Sequence, residues 1–555
     1  MSRYKNIFLT LIIILGSYFL SQPNLYSQAL KEINSINLEN IKQHINFLGS
    51  DTLRGRGTGT EGESRAASYI AYQLKKDNLI PMGGKESFFQ FIPMHGSIPL
   101  NTSKLLLLTA EGQRVLQIGQ DYVLYKTGAQ TFIPNPLPMV FAGYGINAPE
   151  FDYNDYQLIE VENKIVVFLE GEPYSKDPDY FNGLQPSIYS TPEAKQRMAI
   201  SRGARGSIMI PNPRIEQGKY WSHWLREFSF EDVTMAYSVS SHLSIMINPR
   251  IAEILFQNAE SSLADVFKMD EQNSMMSFDL KCRVSFDGQF SERDFLAKNV
   301  IAMLRGSQQR LQNSYLLISA HYDHLGIGPV VDGDSIYNGV FDNAMGVAAV
   351  LELARILSRQ PDQLKRSIIF LFTTGEEKGL LGSSYYTENP AVPLYQTIAN
   401  MNVDGLAAFD TFNDVIAIGA EYSSLQDDLI RILDKSSLRL TPLPEEYFNL
   451  PETINRSDHY SFAKVGIPFI LLLEGLDYKN TPREQGISRM IEWYRNIYHS
   501  PADDPNQTIN YNAVKQHCNI LLKLILYLTN NPKAPEWKSG TPFINARLQT
   551  IAEKR

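Results

Sequence analysis

The chain has 555 residues, of which 43% are hydrophobic and 20% charged, and its formal net charge is −9. This composition excludes wholesale disorder, and the acidic balance disfavours a general nucleic-acid binder. Cys282 and Cys518 are the only cysteines, which excludes a disulfide scaffold and a thiolate metal cluster. The length predicts two to four domains of about 150 residues each.

The first residues are typical of a secretory signal. Arg3 and Lys5 precede an apolar run over 7–20, which at about 1.5 Å per helical residue is short for a bilayer core of about 30 Å. Small and polar residues follow up to Ala29. We therefore predict a signal peptide over 1–29 and an exported protein, periplasmic or extracellular, with no stable membrane association after signal cleavage. An uncleaved anchor is the alternative interpretation.

Two helices are predicted after this segment. Apolar residues at helical spacing predict a helix over 36–49 that ends at a glycine. The glycine-rich stretch 53–62 lacks the residue order of a phosphate-binding loop, so we interpret it as a loop that enters a helix over 63–77.

The character of the sequence changes at about residue 135, where short β-rich runs begin and continue to about 265. A helix over 194–202 and a strand over 207–210 fall inside this region, which predicts a small α+β module. We therefore divide the mature chain into a first part of the main domain over 30–120, an insert over 121–267, a second and larger part of the main domain over 268–532 and a loosely packed tail over 533–555.

From residue 299 the pattern alternates between apolar strands and helices, which indicates a sheet that is buried on both faces and an α/β class. The predicted strands are 300–304, 315–320, 368–372, 398–403, 415–418 and 467–473. The predicted helices are 343–358, 424–435 and 514–529.

Polar residues follow the carboxyl ends of these strands, where open α/β sheets place their active sites. His321 and Asp323 follow one strand, Glu376 and Glu377 another, and Asp404 a third. Three more candidates lie outside the strand ends: Asp342 at the start of a predicted helix, and His459 and His499 further along the chain. Each residue taken alone is explained as a loop, cap or turn residue. As a set, two histidines and three carboxylates are mixed nitrogen and oxygen ligands suited to Zn²⁺, and a pair of ions would offset the repulsion among buried carboxylates.

The motifs His321-Tyr322-Asp323, Asp342-Asn343-Ala344-Met345-Gly346, Gly375-Glu376-Glu377, Asn402-Val403-Asp404 and Tyr498-His499-Ser500-Pro501-Ala502-Asp503 occur in this order. In these motifs the chain resembles peptidase family M28, clan MH, the co-catalytic zinc aminopeptidases, in the form that carries a protease-associated (PA) insert. The resemblance implies a three-layer α/β/α zinc-exopeptidase core with a mixed central sheet, plus an inserted small α+β PA-like domain.

The resemblance also implies a ligand set for two Zn²⁺ per chain. One zinc would be held by His321 and Asp404, the other by Glu377 and His499, and Asp342 would bridge the two.

Catalytic roles follow from the same resemblance. Asp323 matches the carboxylate that fixes the tautomer of the neighbouring imidazole. Glu376 matches the general base, and His459 lies where the family carries a His or Tyr that polarises the scissile carbonyl. His324 is interpreted as a loop residue only.

The expected function is an exported dizinc aminopeptidase that acts on peptides through a metal-bridging hydroxide. A carboxypeptidase on the same site stays open, because candidate amine-binding acids (Glu445, Glu446, Glu474) and the candidate cation Arg456 cannot be placed from sequence. A non-catalytic peptide-binding relative is a further alternative. The sequence contains neither a G-x-S-x-G elbow nor an H-E-x-x-H helix.

Overall fold

The computed structural model describes residues 36–554 apart from 128–130, 178, 182, 184–185, 216–220 and 444–455. The predicted signal peptide and the candidates Glu445 and Glu446 therefore lie outside the described residues. Among the helices that are described, none is long and apolar enough to cross a membrane.

The described chain forms the following strands: β1 Ile80–Pro81, β2 Phe89–Pro99, β3 Lys104–Thr109, β4 Gly112–Leu116, β5 Tyr122–Leu124, β6 Phe132–Ala142, β7 Asn147–Ala148, β8 Tyr153–Asn154, β9 Ile165–Leu169, β10 Gly206–Ile210, β11 Asp232–Met235, β12 Leu243–Ile247, β13 Ser277–Asp287, β14 Phe290–Leu304, β15 Tyr315–His321, β16 Gly326–Val331, β17 Asp334–Tyr337, β18 Ser367–Thr373, β19 Thr397–Asn402, β20 Asp414–Ile418, β21 Arg439–Leu440 and β22 Phe469–Glu474. The helices are α1 Leu38–Leu48, α2 Glu61–Lys76, α3 Pro192–Ser201, α4 Trp221–Glu227, α5 Pro249–Ala252, α6 Leu263–Glu271, α7 Met345–Ser358, α8 Leu381–Glu388, α9 Leu425–Asp434, α10 His459–Lys464, α11 Arg483–Asn496, α12 Tyr511–Asn530 and α13 Ile544–Ala552.

The larger of the two main sheets has the strand order β11-β2-β14-β18-β15-β19-β22-β20-β21, with β1 paired to β14. Strands β18, β15, β19 and β22 run parallel to one another, whereas β14 and β20 are antiparallel to their neighbours in this group. The predicted α/β class with a mixed central sheet is therefore confirmed.

Helices cover both faces of this sheet, because its central strands are apolar on both sides. All seven residues of β15 and all seven of β18 are buried. On one face Leu316 and Phe370 pack in a core shared with α1, α2, α7, α9 and α12. On the other face Leu317 packs with Tyr386 of α8 and Phe462 of α10. The result is the expected three layers.

The start of helix α1 is determined by a capping residue, Asn37, and by a contact between that residue and helix α7. The Asn37 side chain accepts hydrogen bonds from the backbone amides of Glu39 and Asn40, which satisfies free donors at the helix start. The Asn37 amide in turn donates to Glu352 of α7, at 2.7 Å. The apolar stripe of α1 then packs against α7 in the main core, and the helix ends at Gly49 as predicted.

The second main sheet has eight strands in the order β4-β3-β13-β6-β9-β10-β12-β5, and β6, β9, β10 and β12 are parallel. It includes β3 and β4 before residue 121 and β13 after residue 267, on both sides of the predicted insert. Strand β11, from inside that insert, instead pairs with β2 of the larger sheet. The division of the chain into domains, and the PA-like nature of the insert, stay predictions.

Most predicted elements are found within three residues of their predicted limits. The largest difference is at β14, which begins at Phe290, ten residues before the predicted start, because it continues in an antiparallel pairing with β2. Helix α7 begins two residues later than predicted, at Met345, because residues 340–344 form a separate tight turn with non-helical dihedral angles at Asp342 and Asn343.

The segment 533–555, predicted to be a loosely packed tail, is anchored to the main domain at Trp537. Trp537 is buried and its Nε1 donates to the carbonyl oxygen of Gly466 at 2.8 Å. Its ring packs with Phe469 and Phe543, and helix α13 follows. Aromatic burial, which the polar composition of this segment conceals, fixes its position.

The two cysteines are free thiols in the structure, and both are buried. Cys282 belongs to the core of the second sheet and Cys518 to the main core. Cys282 and Cys518 therefore do not form a disulfide bond with each other in the structure, although an exported protein could contain one.

We expect Leu316→Ala to lower the free energy of unfolding by about 2–5 kcal/mol, because it leaves a cavity in the main core. Leu316 is 0% exposed, whereas Leu296, on β14 of the same sheet, is 62% exposed. The matched change Leu296→Ala should alter stability by only about 0.5 kcal/mol. Urea unfolding of both variants measures the difference, and equal losses would contradict the packing described here.

Candidate metal centre

The register of the larger sheet brings the predicted site residues to one edge. His321, the last residue of β15, lies opposite Thr373, the last residue of β18. Strand β19 is aligned with β15 so that Asn402 lies opposite Ser319. The segments that carry Glu377 and Asp404 therefore leave the sheet beside His321, as expected for parallel strands.

The five predicted ligands converge at this edge. The Nε2 atom of His321 lies 3.1 Å from Oδ1 of Asp342 and 3.2 Å from Oδ1 of Asp404. The Nε2 atom of His499 lies 3.3 Å from Oδ2 of Asp342 and 3.1 Å from Oε2 of Glu377. The two oxygens of Asp342 thus face two different groups of donors, which is the arrangement expected of a bridging carboxylate.

These separations fit divalent cations. Two donors about 2.0–2.1 Å from a Zn²⁺ at tetrahedral angles lie about 3.3 Å apart, close to the distances found here. His499 Nε2 is buried yet has no hydrogen-bond partner in the described part of the chain, although two carboxylate oxygens lie near it. His321, Asp342 and Glu377 offer ligand atoms that all lie within 4.8 Å of one another, so the two groups of donors adjoin at Asp342. The donors present therefore fit the zinc that the resemblance implies.

Asp323 orients His321, but through its main chain. The Nδ1 atom of His321 lies 3.2 Å from the carbonyl oxygen of Asp323, whereas the nearest carboxylate oxygen is 3.8 Å away. The carboxylate instead accepts from the Thr58 hydroxyl at 2.9 Å and from the Glu376 amide at 3.2 Å. Asp323 therefore joins the ligand strand to the loop that carries the two glutamates.

Asp404 is oriented by a chain of hydrogen bonds across the sheet. The Ser457 hydroxyl donates to Oδ2 of Asp404 and accepts from the Asn402 amide at 2.7 Å. The Ser319 hydroxyl donates to Asn402 Oδ1 at 2.6 Å. With Oδ2 occupied in this way, Oδ1 of Asp404 faces His321.

The turn that carries Asp342 is held by Asp503. Oδ1 of Asp503 accepts from the Phe341 amide at 2.9 Å and Oδ2 from the Asp342 amide at 3.1 Å. The Asn343 side chain fixes the other end of the turn, since it donates to Val403 O at 2.9 Å. Both side-chain oxygens of Asp342 are therefore left free to face the two histidines.

Arg56 is a fully buried cation behind the site. Its guanidinium donates to four main-chain carbonyls, those of Tyr322 at 2.8 Å, Leu48 at 2.5 Å, Asn338 at 2.6 Å and Gly339 at 2.9 Å. Burial lowers the pKa of Arg56 to about 10, so it stays charged at neutral pH. It therefore joins the β15 end to the turn before Asp342 and places positive charge near the acids.

The adjacent glutamates have opposite electrostatic environments. Burial raises the pKa of Glu376 well above its usual range, and Asp404 and Glu377 reinforce the shift. Burial has the same tendency at Glu377, but the nearby imidazoles of His499 and His324 hold the pKa of this carboxyl well below its usual range. Glu377 is thus suited to ligate a cation, and Glu376 to accept and hold a proton.

His459 does not share the arrangement of the other predicted site residues. Its ring is 0% exposed and stacks on Phe469, the first residue of β22, with 4.9 Å between ring centroids. Phe469 lies opposite Asn400, two residues before the end of β19. The ring thus packs below the ligand edge, and its predicted role on the substrate carbonyl stays a prediction.

Sequence reasoning missed several residues that build the site: Arg56, Glu63, His324, Ser457 and Asp503. Glu63 is 1% exposed and accepts from the Thr374 and Tyr322 hydroxyls, which fixes the loop before Glu376. Arg56 and Glu63 belong to the glycine-rich segment and the helix after it. Asp503 lies within a motif already noted, His324 directly follows another, and Ser457 lies two residues before His459. This proximity to predicted site residues was the available signal.

Residues 299–525 match the family model described as Peptidase family M28. These residues, which make up less than half of the chain, are similar to that family. The predicted resemblance to this family is confirmed, and the matched range contains all five candidate ligands.

Curated relatives match this chain over only part of their length. A probable zinc metalloprotease of Pyrenophora teres f. teres (strain 0-1) is 34% identical over 180 residues, which cover 32% of this chain and 34% of that protein. Leupeptin-inactivating enzyme 1 of Streptomyces exfoliatus is 30% identical over 200 residues, covering 34% and 40% respectively. The chain thus spans less than half the length of these relatives.

The fold of a solved structure is similar to that of this chain beyond residues 299–525. The aminopeptidase from Aneurinibacillus sp. strain AM-1 superposes with a TM-score of 0.55 at 19% identity, covering 92% of this chain and 98% of that one. This similarity shows that the overall fold, beyond the matched range, is shared.

We expect Arg56→Met to lower the free energy of unfolding by more than about 3 kcal/mol, because it leaves the buried carbonyls of Leu48, Tyr322 and Asn338 without donors at about 1–3 kcal/mol each. The Gly339 carbonyl keeps a donor, the Ala344 amide. Arg56→Lys should recover only part of this loss, since one ammonium cannot reach all four acceptors.

The matched control is Arg65→Met on α2, which removes a single exposed contact to Thr52 O and should cost under about 1 kcal/mol. Urea unfolding compares the variants, and equal stability of Arg56→Met and Arg65→Met would contradict the role given to Arg56.

Proposed function

We propose that this protein is an exported aminopeptidase that uses two zinc ions. His321 and Asp404 would hold one ion, Glu377 and His499 the other, and Asp342 both. The observation that carries the proposal is the convergence of these five donors at 3.1–3.3 Å from one another in two groups that share Asp342. The match of residues 299–525 to peptidase family M28 and the similarity to a probable zinc metalloprotease support it.

When bound, a zinc pair supplies a water activated near neutral pH and polarises the carbonyl of the scissile peptide bond. Glu376 would take the proton from that water and later give it to the leaving amine. Its raised pKa suits it to hold the proton between these steps. Among the described residues, no hydrogen bond ties down the Glu376 carboxylate, while its amide is anchored on Asp323.

Substrate would reach the site from the side formed by Asp404 and His499. Their side chains are 18% and 25% exposed, whereas those of His321 and Glu377 are 1% and 4% exposed. Phe230, from the segment before β11, lies near the segment that carries Glu377, since its ring is 5.6 Å from the ammonium group of the next residue, Lys378, and packs on Tyr337. We propose that this segment before β11 restricts access to the site and that the substrates are short peptides.

Aminopeptidase action is favoured over carboxypeptidase action by the excess of acidic groups around the site, which suits a substrate ammonium. The solved structure of similar fold is also an aminopeptidase. The candidate acid Glu474 is half-buried at the end of β22, and the candidate cation Arg456 is exposed.

We expect the purified protein to hydrolyse aminoacyl-p-nitroanilides and peptides with a free amino terminus, but not the same peptides after N-acetylation. Chelation should remove the activity and Zn²⁺ should restore it. Product analysis by mass spectrometry decides the direction, because release of carboxyl-terminal residues from N-acetylated peptides would establish the carboxypeptidase instead.

We expect Glu376→Gln to keep both zinc ions but to lose about 10²–10⁴-fold in kcat, because the general base is gone. Asp342→Ala should instead lose zinc, since both groups of donors depend on this residue. Elemental analysis and kinetics of the same samples separate the two effects.

Exposed residues provide matched controls, Glu61→Gln for the first variant and Asp427→Ala for the second. Full activity in zinc-loaded Glu376→Gln, or full zinc content in Asp342→Ala, would refute the role concerned.

Export rests on the sequence of the first 29 residues, which is typical of a signal peptide. Cell fractionation with sequencing of the mature amino terminus tests it, and an intact Met1 on protein in the cytoplasm would refute it.

A further inference from the structure

We propose that His324 is a positioning residue that fixes the carboxylate of Glu377 for zinc binding. This inference rests on the proposed dizinc function and adds to it a residue outside the ligand set. His324 lies three residues after His321, and its side chain is fully buried.

The contact with Glu377 is short and specific. The Nδ1 atom of His324 lies 2.6 Å from Oε1 of Glu377, and Oε2 of the same carboxylate lies 3.1 Å from His499 Nε2. The next nearest acid, Asp342, has its Oδ2 4.0 Å from His324 Nδ1, beyond hydrogen-bond distance. The two oxygens of Glu377 thus face two different imidazoles, and only Oε1 is hydrogen-bonded to its imidazole.

This geometry assigns distinct roles to the two histidines. Nδ1 of His324 donates its hydrogen to Oε1, which leaves Oε2 directed toward His499 and the neighbouring Asp342. His324 Nε2 is buried and has no hydrogen-bond partner in the described part of the chain, so Nδ1 makes the one side-chain hydrogen bond of this ring. A carboxylate ligand that is hydrogen-bonded in this way is held in the orientation that binds metal.

The backbone around His324 is built to hold the ring in place. The His324 amide donates to Arg56 O at 3.2 Å, which ties the residue to the buried arginine. Gly339 lies against the other side of the ring, and a Cβ atom there would come within 2.5 Å of His324 Cγ. Gly339 also has a φ of +59°, a left-handed conformation that favours glycine. The His324 ring is therefore packed closely against Gly339, where no side chain fits, and its backbone is fixed by Arg56.

The test is zinc binding by the full-length protein, measured by titrating the metal-free form against a competing chelator, with native mass spectrometry to count the ions. We expect His324→Leu to weaken one of the two zinc sites by about 10–100-fold and to leave the other unchanged. His324→Asn should stay within a few-fold of the unsubstituted protein, because the Asn amide nitrogen occupies the position of Nδ1 and Leu has nearly the shape of Asn without its donor.

His324→Gln provides a second comparison that does not depend on the Leu variant folding. Its amide lies one carbon further out, so it should bind zinc more weakly than His324→Asn. In a Glu377→Ala background, His324→Leu and His324→Asn should bind zinc equally, because His324 acts through Glu377.

Three outcomes overturn the inference: tight binding of both ions by folded His324→Leu, equal weakening in the Asn and Gln variants, or a difference between the Leu and Asn variants that persists without Glu377. Fewer than two zinc ions on the unsubstituted protein would instead refute the proposed function, which keeps the two failures distinguishable.

Discussion

The structure depends on placing several carboxylates at one edge of a buried sheet, where each loses hydration and repels its neighbours. Asp323, Asp342, Glu377 and Asp503 all lie near enough to Arg56 to influence its pKa. Three kinds of group offset that repulsion. They are the buried guanidinium of Arg56, three imidazoles, and the amide N–H groups that donate hydrogen bonds to the carboxylates. The same unfavourable density of negative charge is what makes the site attractive to divalent cations.

Each acid keeps its function because a different neighbour occupies its other atoms. Both carboxylate oxygens of Asp503 accept hydrogen bonds from main-chain amides, and one oxygen of Asp404 accepts from Ser457. These contacts determine which carboxylate oxygens face the histidines. Glu376 and Glu377 are adjacent in sequence, yet only Glu377 has imidazole partners. The different roles of the two glutamates, metal ligand for Glu377 and general base for Glu376, therefore depend on the surrounding loops and not on the residue type.

The sequence was informative where the determining pattern is local. Unbroken apolar strands predict a doubly covered sheet, and polar residues directly after them predict an edge site, so the five ligands could be named. Arg56 could not be recognised in the same way, because its partner Gly339 is distant in the sequence and arginine is more often a surface residue. His324 was missed because its contact with Glu377 joins two separate strand ends. The packed carboxyl-terminal segment depends on Trp537, whose partners also lie far away in the chain.

Strand β11 has a consequence for how the two sheets can be separated. It lies in sequence among the strands of the second sheet but pairs with residues 94–97 of β2, a strand of the first sheet. Excision of the second sheet as a unit would take β11 with it and leave the backbone groups of residues 94–97 unpaired at the edge of the first sheet, where a strand of another molecule can pair with them. The second sheet therefore cannot be removed as one continuous segment without exposing an edge of the first.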